Sequence, residues 1–216
     1  MDDHALLRTA IGSLLAPEAD LELVGEAADG EEALDLCSEL RPDLVLMDVQ
    51  MPAMDGIAAT RAIKAEFPKT GVLMLTAHSD EDLLLEAVRA GAAGYVLKHV
   101  GPSDLIGAVR RTLAGESPVD QELVMKLVRR LAGEVKPGKE PRNLSKNSPD
   151  PPLTAREIEV LRSLASGKTN RQISEELHLS LSTVKRHLER IISKLEVSDR
   201  TQAAVRAVEL RLLDPE

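Results

Sequence analysis

The residues best equipped for chemistry are carboxylates placed where apolar runs stop. Leu44–Met47 (LVLM) ends on Asp48, and Asp2 and Asp3 form a second acidic group at the start of the chain. Carboxylates converging on one site repel each other unless a cation or proton intervenes. The set therefore implies a hard divalent ion with oxygen ligands, and Mg²⁺ fits best. An aspartate at a strand end beside such an ion is a competent nucleophile for phosphorus. Two further runs end on useful groups: VLML on Thr76, a hydroxyl, and GYVL on Lys98, an ammonium. Charge on a phosphoryl group at Asp48 would then be met by a metal, a donor and a cation.

Positioning these groups requires strand ends gathered on one edge. From Leu21 to Gly115, short apolar runs alternate with helical segments: LELVGEA, EEALDLCSELR, LVLMD, IAATRAIKAEF, GVLMLTA, DEDLLLEAVRAGA, GYVLK and SDLIGAVRRTLAG. Repeated strand–helix alternation calls for a parallel sheet covered on both faces, with ligands bound beyond the carboxyl ends of its strands. After Asp48, Pro52 and Gly56 enforce an irregular loop before the next helix.

Val119–Gly133 carries a helical apolar stripe, and Glu134–Pro152, with five prolines, reads as a flexible linker. From Leu153 the pattern is wholly helical. Thr154 with Glu157 and Thr169 with Gln172 have capping-box spacing, Gly167 is placed to end the first helix, and Ser180 and Asp199 can cap two more. Four short helices on tight turns suggest a helix-turn-helix. The expected division is residues 1–116, a linker helix and linker over 117–152, and a helical domain over 153–216.

Charge follows that division. Residues 1–116 carry 9 basic and 21 acidic side chains, net −12, whereas residues 153–216 carry 11 and 10, net +1. An acidic first half is repelled by DNA; the near-neutral last part can present a locally basic face. The single cysteine, Cys37, excludes a disulfide framework and reads as a buried thiol. No apolar run approaches the ~20 residues that span a bilayer, so no membrane partner and a cytoplasmic location are expected.

The strings DDH, LVLMDVQMPAMDG, LTA and GYVLK resemble the successive signatures of the receiver domain family. The resemblance implies a flavodoxin-like α/β doubly wound parallel sheet with Asp48 as phosphoacceptor. It also implies Asp2, Asp3, Asp48 and the backbone carbonyl of Gln50 as Mg²⁺ ligands, and Thr76 and Lys98 as phosphate contacts. Tyr95 matches the family's switch aromatic, expected to turn inward as Thr76 moves toward the phosphoryl group. Receivers begin with an apolar strand that runs into the acidic pair and lies inside the sheet, in the order 2-1-3-4-5. This chain starts at MDDH, so that strand is expected to be missing, Asp2 and Asp3 untethered, and the true start a few codons upstream.

In the last part, LSTVKRHLERIISKLEV spaces Val184, Leu188, Ile191, Ile192 and Leu195 as a buried stripe, opposite Ser182, Lys185, Arg186, Glu189, Arg190 and Ser193. That polar, mainly cationic face suits a major groove. The string from Leu153 to Ala203 resembles the LuxR-type domain, an all-α four-helix helix-turn-helix. By that resemblance Lys185 and Arg186 reach base edges or nearby phosphates, Glu189 takes a third base-facing position, and Ser182 and Thr183 lie near the backbone. His187 reads as a scaffold residue. The last helix, 201–212, with Ala204 and Val208, is the expected dimer contact.

Together these features resemble a NarL/FixJ-family response regulator. The resemblance implies a sensor histidine kinase as partner, phosphorylation controlling DNA binding by a homodimer, and no enzyme activity. A phosphorylation-independent transcription factor with a degenerate receiver is the alternative. A carboxylate-nucleophile phosphohydrolase is disfavoured because Gln50 stands where an acid would protonate the leaving group.

Overall fold

The three runs that are apolar throughout form the strands. In the computed structural model, which describes residues 1–77, 80–115 and 153–209, these are β1 (Leu44–Asp48), β2 (Gly71–Thr76) and β3 (Gly94–Leu97). They pair in parallel in the order β1-β2-β3, with Asp48 opposite Leu75 and Thr76 opposite Leu97. Five helices accompany them: α1 (Ala5–Leu15), α2 (Gly30–Leu40), α3 (Gly56–Glu66), α4 (Glu81–Ala90) and α5 (Pro102–Leu113). Ala108 and Val109 of α5 pack on Leu73, Leu75 and Val96. On the opposite face Thr60 of α3 donates to the Met74 sulfur at 3.2 Å. Both faces are therefore covered, as unbroken apolar strands require. The helices start where short polar side chains can hold their free amides: Asp29, Asp55 and Asp80 each accept from the first turn of α2, α3 and α4. Cys37 is fully buried in α2.

LELVGEA corrects the sequence reading. Residues 21–27 form no strand. A strand exists only through its neighbour, and beside this segment lies a cavity of about 500 Å³. Leu21, Leu23, Leu36, Leu40, Leu44 and Leu46 are among its lining. Leu44 and Leu46 point to that side and are only half-buried, while Val45 and Met47, on the other face of the same strand, are buried.

The chain's first residues occupy the far end of that slot. The Met1 α-amine donates to the Leu46 carbonyl at 2.9 Å, the Asp48 amide donates to the Met1 carbonyl at 2.9 Å, and the Asp2 amide donates to the Ala27 carbonyl at 3.2 Å. Met1 and Asp2 thus bridge β1 and residue 27, and the expectation that Asp2 is untethered fails. Asp3 is exposed.

The chain divides into two compact units, Met1–Pro118 and Val119–Glu216. The second contains α6 (Ala155–Ala165), α7 (Asn170–Glu176), α8 (Leu181–Lys194) and α9 (Arg200–Glu209). Both capping boxes form, on Thr154/Glu157 and Thr169/Gln172. Gly167, at φ 77°, donates to Leu164 while Lys168 donates to Ser163, so α6 ends in a Schellman motif. Val160, Leu161, Leu164, Ile173, Val184 and Ile191 make the core. Glu157 ties α6 to α8 through Lys194 at 2.8 Å, and Arg200 ties α9 to α7 through Asn170 at 3.1 Å. The linker helix expected at 119–133, the linker at 134–152 and residues 210–212 lie outside the described residues.

Candidate functional site: an acidic strand-end pocket and a cationic recognition helix

Parallel pairing brings the three strand ends to one edge. Asp48 closes β1, Thr76 closes β2 one residue beyond the partner of Asp48, and Lys98 follows β3, its amide donating to the Thr76 carbonyl at 2.7 Å. Asp48 and Asp2 are almost completely buried, and the Lys98 ammonium lies 2.7 Å from a carboxylate oxygen of each. One ammonium therefore serves two carboxylates.

The electrostatics follow from that shortage. Burial raises the Asp48 carboxyl above its ordinary range, and repulsion from Asp2 adds to this against the pull of Lys98. Burial opposes ionisation of Asp2 as well, but the bonds to Lys98 and to the His4 amide outweigh it and the net shift is downward. Lys98 is held above its ordinary value: burial opposes its charge, and the bonds to Asp2 and Asp48 prevail. A second cation near Asp48 would relieve the remaining negative charge. Asp2, Asp3, His4 and Asp48 each offer one ligand atom, all within 4.8 Å of one another. Buried carboxylates with a charge deficit fit a hard divalent ion.

Of the other expected site residues, Gln50 is exposed in the loop and its amide bonds to the Asp48 carboxylate. Thr76 is buried and hydrogen-bonded to Tyr95. Tyr95, only 7% exposed, is already turned inward here. His4 is the ligand candidate that sequence reasoning missed, although its position directly after the acidic pair was a signal. Nothing in the sequence announced the Met1 amine and carbonyl as the anchors of Asp2.

The loop after Asp48 is shaped to bring α3 close. Asp55 caps α3 by accepting from the Ala58 amide at 2.7 Å, and the Gly56 amide donates to Val49 at 3.0 Å. A Cβ on Gly56 would lie 1.8 Å from the Asp48 carbonyl oxygen, so only glycine fits.

In the second unit, α7 and α8 are joined through His178 in the left-handed region at φ 51°. Ser180 caps α8, and its hydroxyl lies 2.8 Å from those of Ser182 and Thr183. Val184, Leu188 and Ile191 are buried, with Ile192 and Leu195 packed beside them. Ser182, Lys185, Arg186, Glu189, Arg190 and Ser193 are exposed and Thr183 is half-buried, so the expected faces of this helix form. His187 is half-buried. Leu181, at the start of α8, is 50% exposed and was not singled out from the sequence. Ala204 and Val208, on the helix expected as the dimer contact, are both buried, Ala204 in the core with residues of α6 and α8. Among the described residues no helix is long and apolar enough to cross a membrane.

Residues 1–110 match the family described as "Response regulator receiver domain", and residues 151–207 match "Bacterial regulatory proteins, luxR family". The chain is 40% identical to the transcriptional regulatory protein LiaR of Bacillus subtilis (strain 168), over 96% of this chain and 94% of that one. It is also 40% identical to the response regulator protein VraR of Staphylococcus aureus (strain Mu3 / ATCC 700698), over 99% and 96%. Among solved structures, a LuxR-family two-component response regulator from Aurantimonas sp. SI85-9A1 is similar with a TM-score of 0.55 at 34% identity, covering 60% of this chain and 92% of that chain. A strand-end acidic pocket in a doubly wound parallel sheet, a helix-turn-helix with a cationic face, and relatives aligned over nearly their whole length agree: the chain belongs to the two-component response regulators of the NarL/FixJ family, which regulate transcription through a receiver domain and a LuxR-type DNA-binding domain.

Proposed function

We propose that Asp48 is the phosphoacceptor of a sensor histidine kinase and that its phosphorylation controls DNA binding by a homodimer. The observation that carries this reading is the buried Asp48 carboxylate sharing Lys98 with Asp2 at 2.7 Å each. An Asp48 oxygen attacks phosphorus, the P–O bond forms as the P–N bond to the kinase histidine breaks, and the departing imidazole takes a proton. Burial makes the Asp48 carboxylate more basic than a solvated one, which favours attack. Lys98 pairs with the phosphoryl oxygens, and the Thr76 hydroxyl donates to them. Mg²⁺ would be held by Asp2, Asp3, Asp48 and the Gln50 carbonyl, where it supplies neutralisation of the phosphoryl charge. Because Thr76 is also bonded to Tyr95, a change at the pocket is felt on the face where Tyr95 packs.

On the DNA side, Lys185, Arg186 and Arg190 contact base edges or phosphates, Glu189 faces a base, and Ser182 and Thr183 hold the backbone. A carboxylate at 189 accepts from cytosine N4. Two such helices in a dimer read paired half-sites.

Incubation with acetyl phosphate and Mg²⁺, read by Phos-tag electrophoresis, is expected to retard the native chain and leave Asp48→Asn unshifted. A second reading, a phosphorylation-independent regulator with a degenerate receiver, is favoured by the inward Tyr95 and by the cavity beside β1. Native protein that stays unlabelled yet binds its operator would establish that reading.

A further inference from the structure

We infer that Leu181 is a specificity-determining residue of the DNA-binding unit, and that its side chain reads the C5-methyl group of a thymine in the major groove. The inference rests on the reading of α8 as the helix that enters the groove, and adds an apolar contact to it. Leu181 is the first residue of α8, directly after the Ser180 cap, and is 50% exposed. Among the described residues of the second unit it is the one large apolar side chain left exposed. Leu179, two residues earlier, and Ile192, on the same helix, are partly buried against the core of this unit, while Leu181 stays half in solvent.

Its place on the helix gives that exposure a use. A single exposed leucine on a protein surface is ordinary, but the N-terminal residues of a recognition helix are the ones that reach base edges. Lys185 lies one turn on from Leu181 and so stands beside it, and both Lys185 and Ser182 are exposed. The Ser180 hydroxyl lies 2.8 Å from those of Ser182 and Thr183, so the start of α8 offers hydroxyls tied to one another and, among them, one leucine. Hydroxyls and ammonium groups serve phosphates and base acceptors. An isobutyl group serves neither, and of the four bases thymine alone presents an apolar group, its C5-methyl, in the major groove. Contact between the two removes apolar surface of both partners from water.

The test uses the full chain, with and without acetyl phosphate and Mg²⁺, so that it does not hinge on the state of the receiver. The probe is the tightest duplex that native protein selects from a library of about 20 randomised base pairs, enough for two half-sites one helical turn apart. Replacing its thymines singly by deoxyuridine removes one methyl at a time and keeps every hydrogen-bonding group. At one thymine in each half-site the replacement is expected to weaken native binding about fourfold, the worth of one buried methyl. Leu181→Ala is expected to bind the thymine and deoxyuridine duplexes equally. No deoxyuridine effect on native protein, or one that survives Leu181→Ala undiminished, overturns the role of Leu181 and leaves α8 as the DNA-reading helix. Selection of no duplex over random sequence overturns both. Because Leu181 stands half in solvent, the variant retains its fold, which unchanged binding to a non-specific duplex verifies.

Discussion

At the scale of single residues, the receiver pocket is a balance between one ammonium and two buried carboxylates. Asp48 carries the unfavourable share: its carboxyl is raised by burial and by Asp2, so its ionised form opposes folding. That opposition is present at neutral pH and disappears as pH falls through the raised value. Asp48→Asn should therefore stabilise the receiver at pH 7, by on the order of 1 kcal/mol, with the gain shrinking on acidification; urea denaturation at several pH values checks it. Asp2 has the opposite sign. Its carboxyl is lowered, so its stabilisation is present above the ordinary aspartate range and is lost as pH falls below it. Gly56 tests the local geometry. Gly56→Ala places a methyl 1.8 Å from the Asp48 carbonyl oxygen, against backbone that has to move. The expected result is a loss of about 2–3 kcal/mol together with slower phosphorylation in the Phos-tag assay, because the moved carbonyl belongs to the acceptor itself.

At the scale of elements, the receiver shows what a strand needs. β1 presents half-buried Leu44 and Leu46 to a cavity of about 500 Å³, and Met1 and Asp2 already supply the last rungs of a ladder there. An engineered extension of about five alternating apolar residues ahead of Met1 should run along β1 into that space. Each buried Val or Ile contributes about 1.5–3 kcal/mol, against about 1–2 kcal/mol for ordering each residue's backbone. A net gain of a few kcal/mol, with new amide-exchange protection in residues 21–27, is the expected outcome. An unchanged denaturation midpoint would mean that the cavity does not accept a strand. In the second unit, α8 separates its duties by face. Lys185→Ala with Arg186→Ala leaves Val184, Leu188 and Ile191 in place. The pair should weaken DNA binding while leaving the fold intact, and should flatten the log–log salt dependence by about 0.9 for each phosphate no longer neutralised; fluorescence anisotropy at several salt concentrations measures this.

At the scale of the whole molecule, two units of different charge share one chain: an acidic receiver, and a near-neutral helical unit in which α8 exposes Lys185, Arg186 and Arg190. The identity of both was legible in the sequence because their signals are local. An unbroken apolar run reads as a central strand, a Thr three residues before Glu or Gln closes a capping box within one turn, and the stripe of α8 repeats at helical spacing. The chemistry at the strand ends was legible for the same reason, since Asp48, Thr76 and Lys98 each follow such a run. What only the tertiary structure decided are relations between distant segments. LELVGEA has the composition of a strand but lacks a ladder partner. Ala204 and Val208 are apolar on a helix, yet which side is covered depends on the helix it packs against. Asp2 is anchored through Met1 to β1, and Lys98 is divided between Asp2 and Asp48, because parallel pairing brings ends far apart in sequence to one edge. A residue's type sets what it can donate or accept; its neighbours across the sheet set what it does.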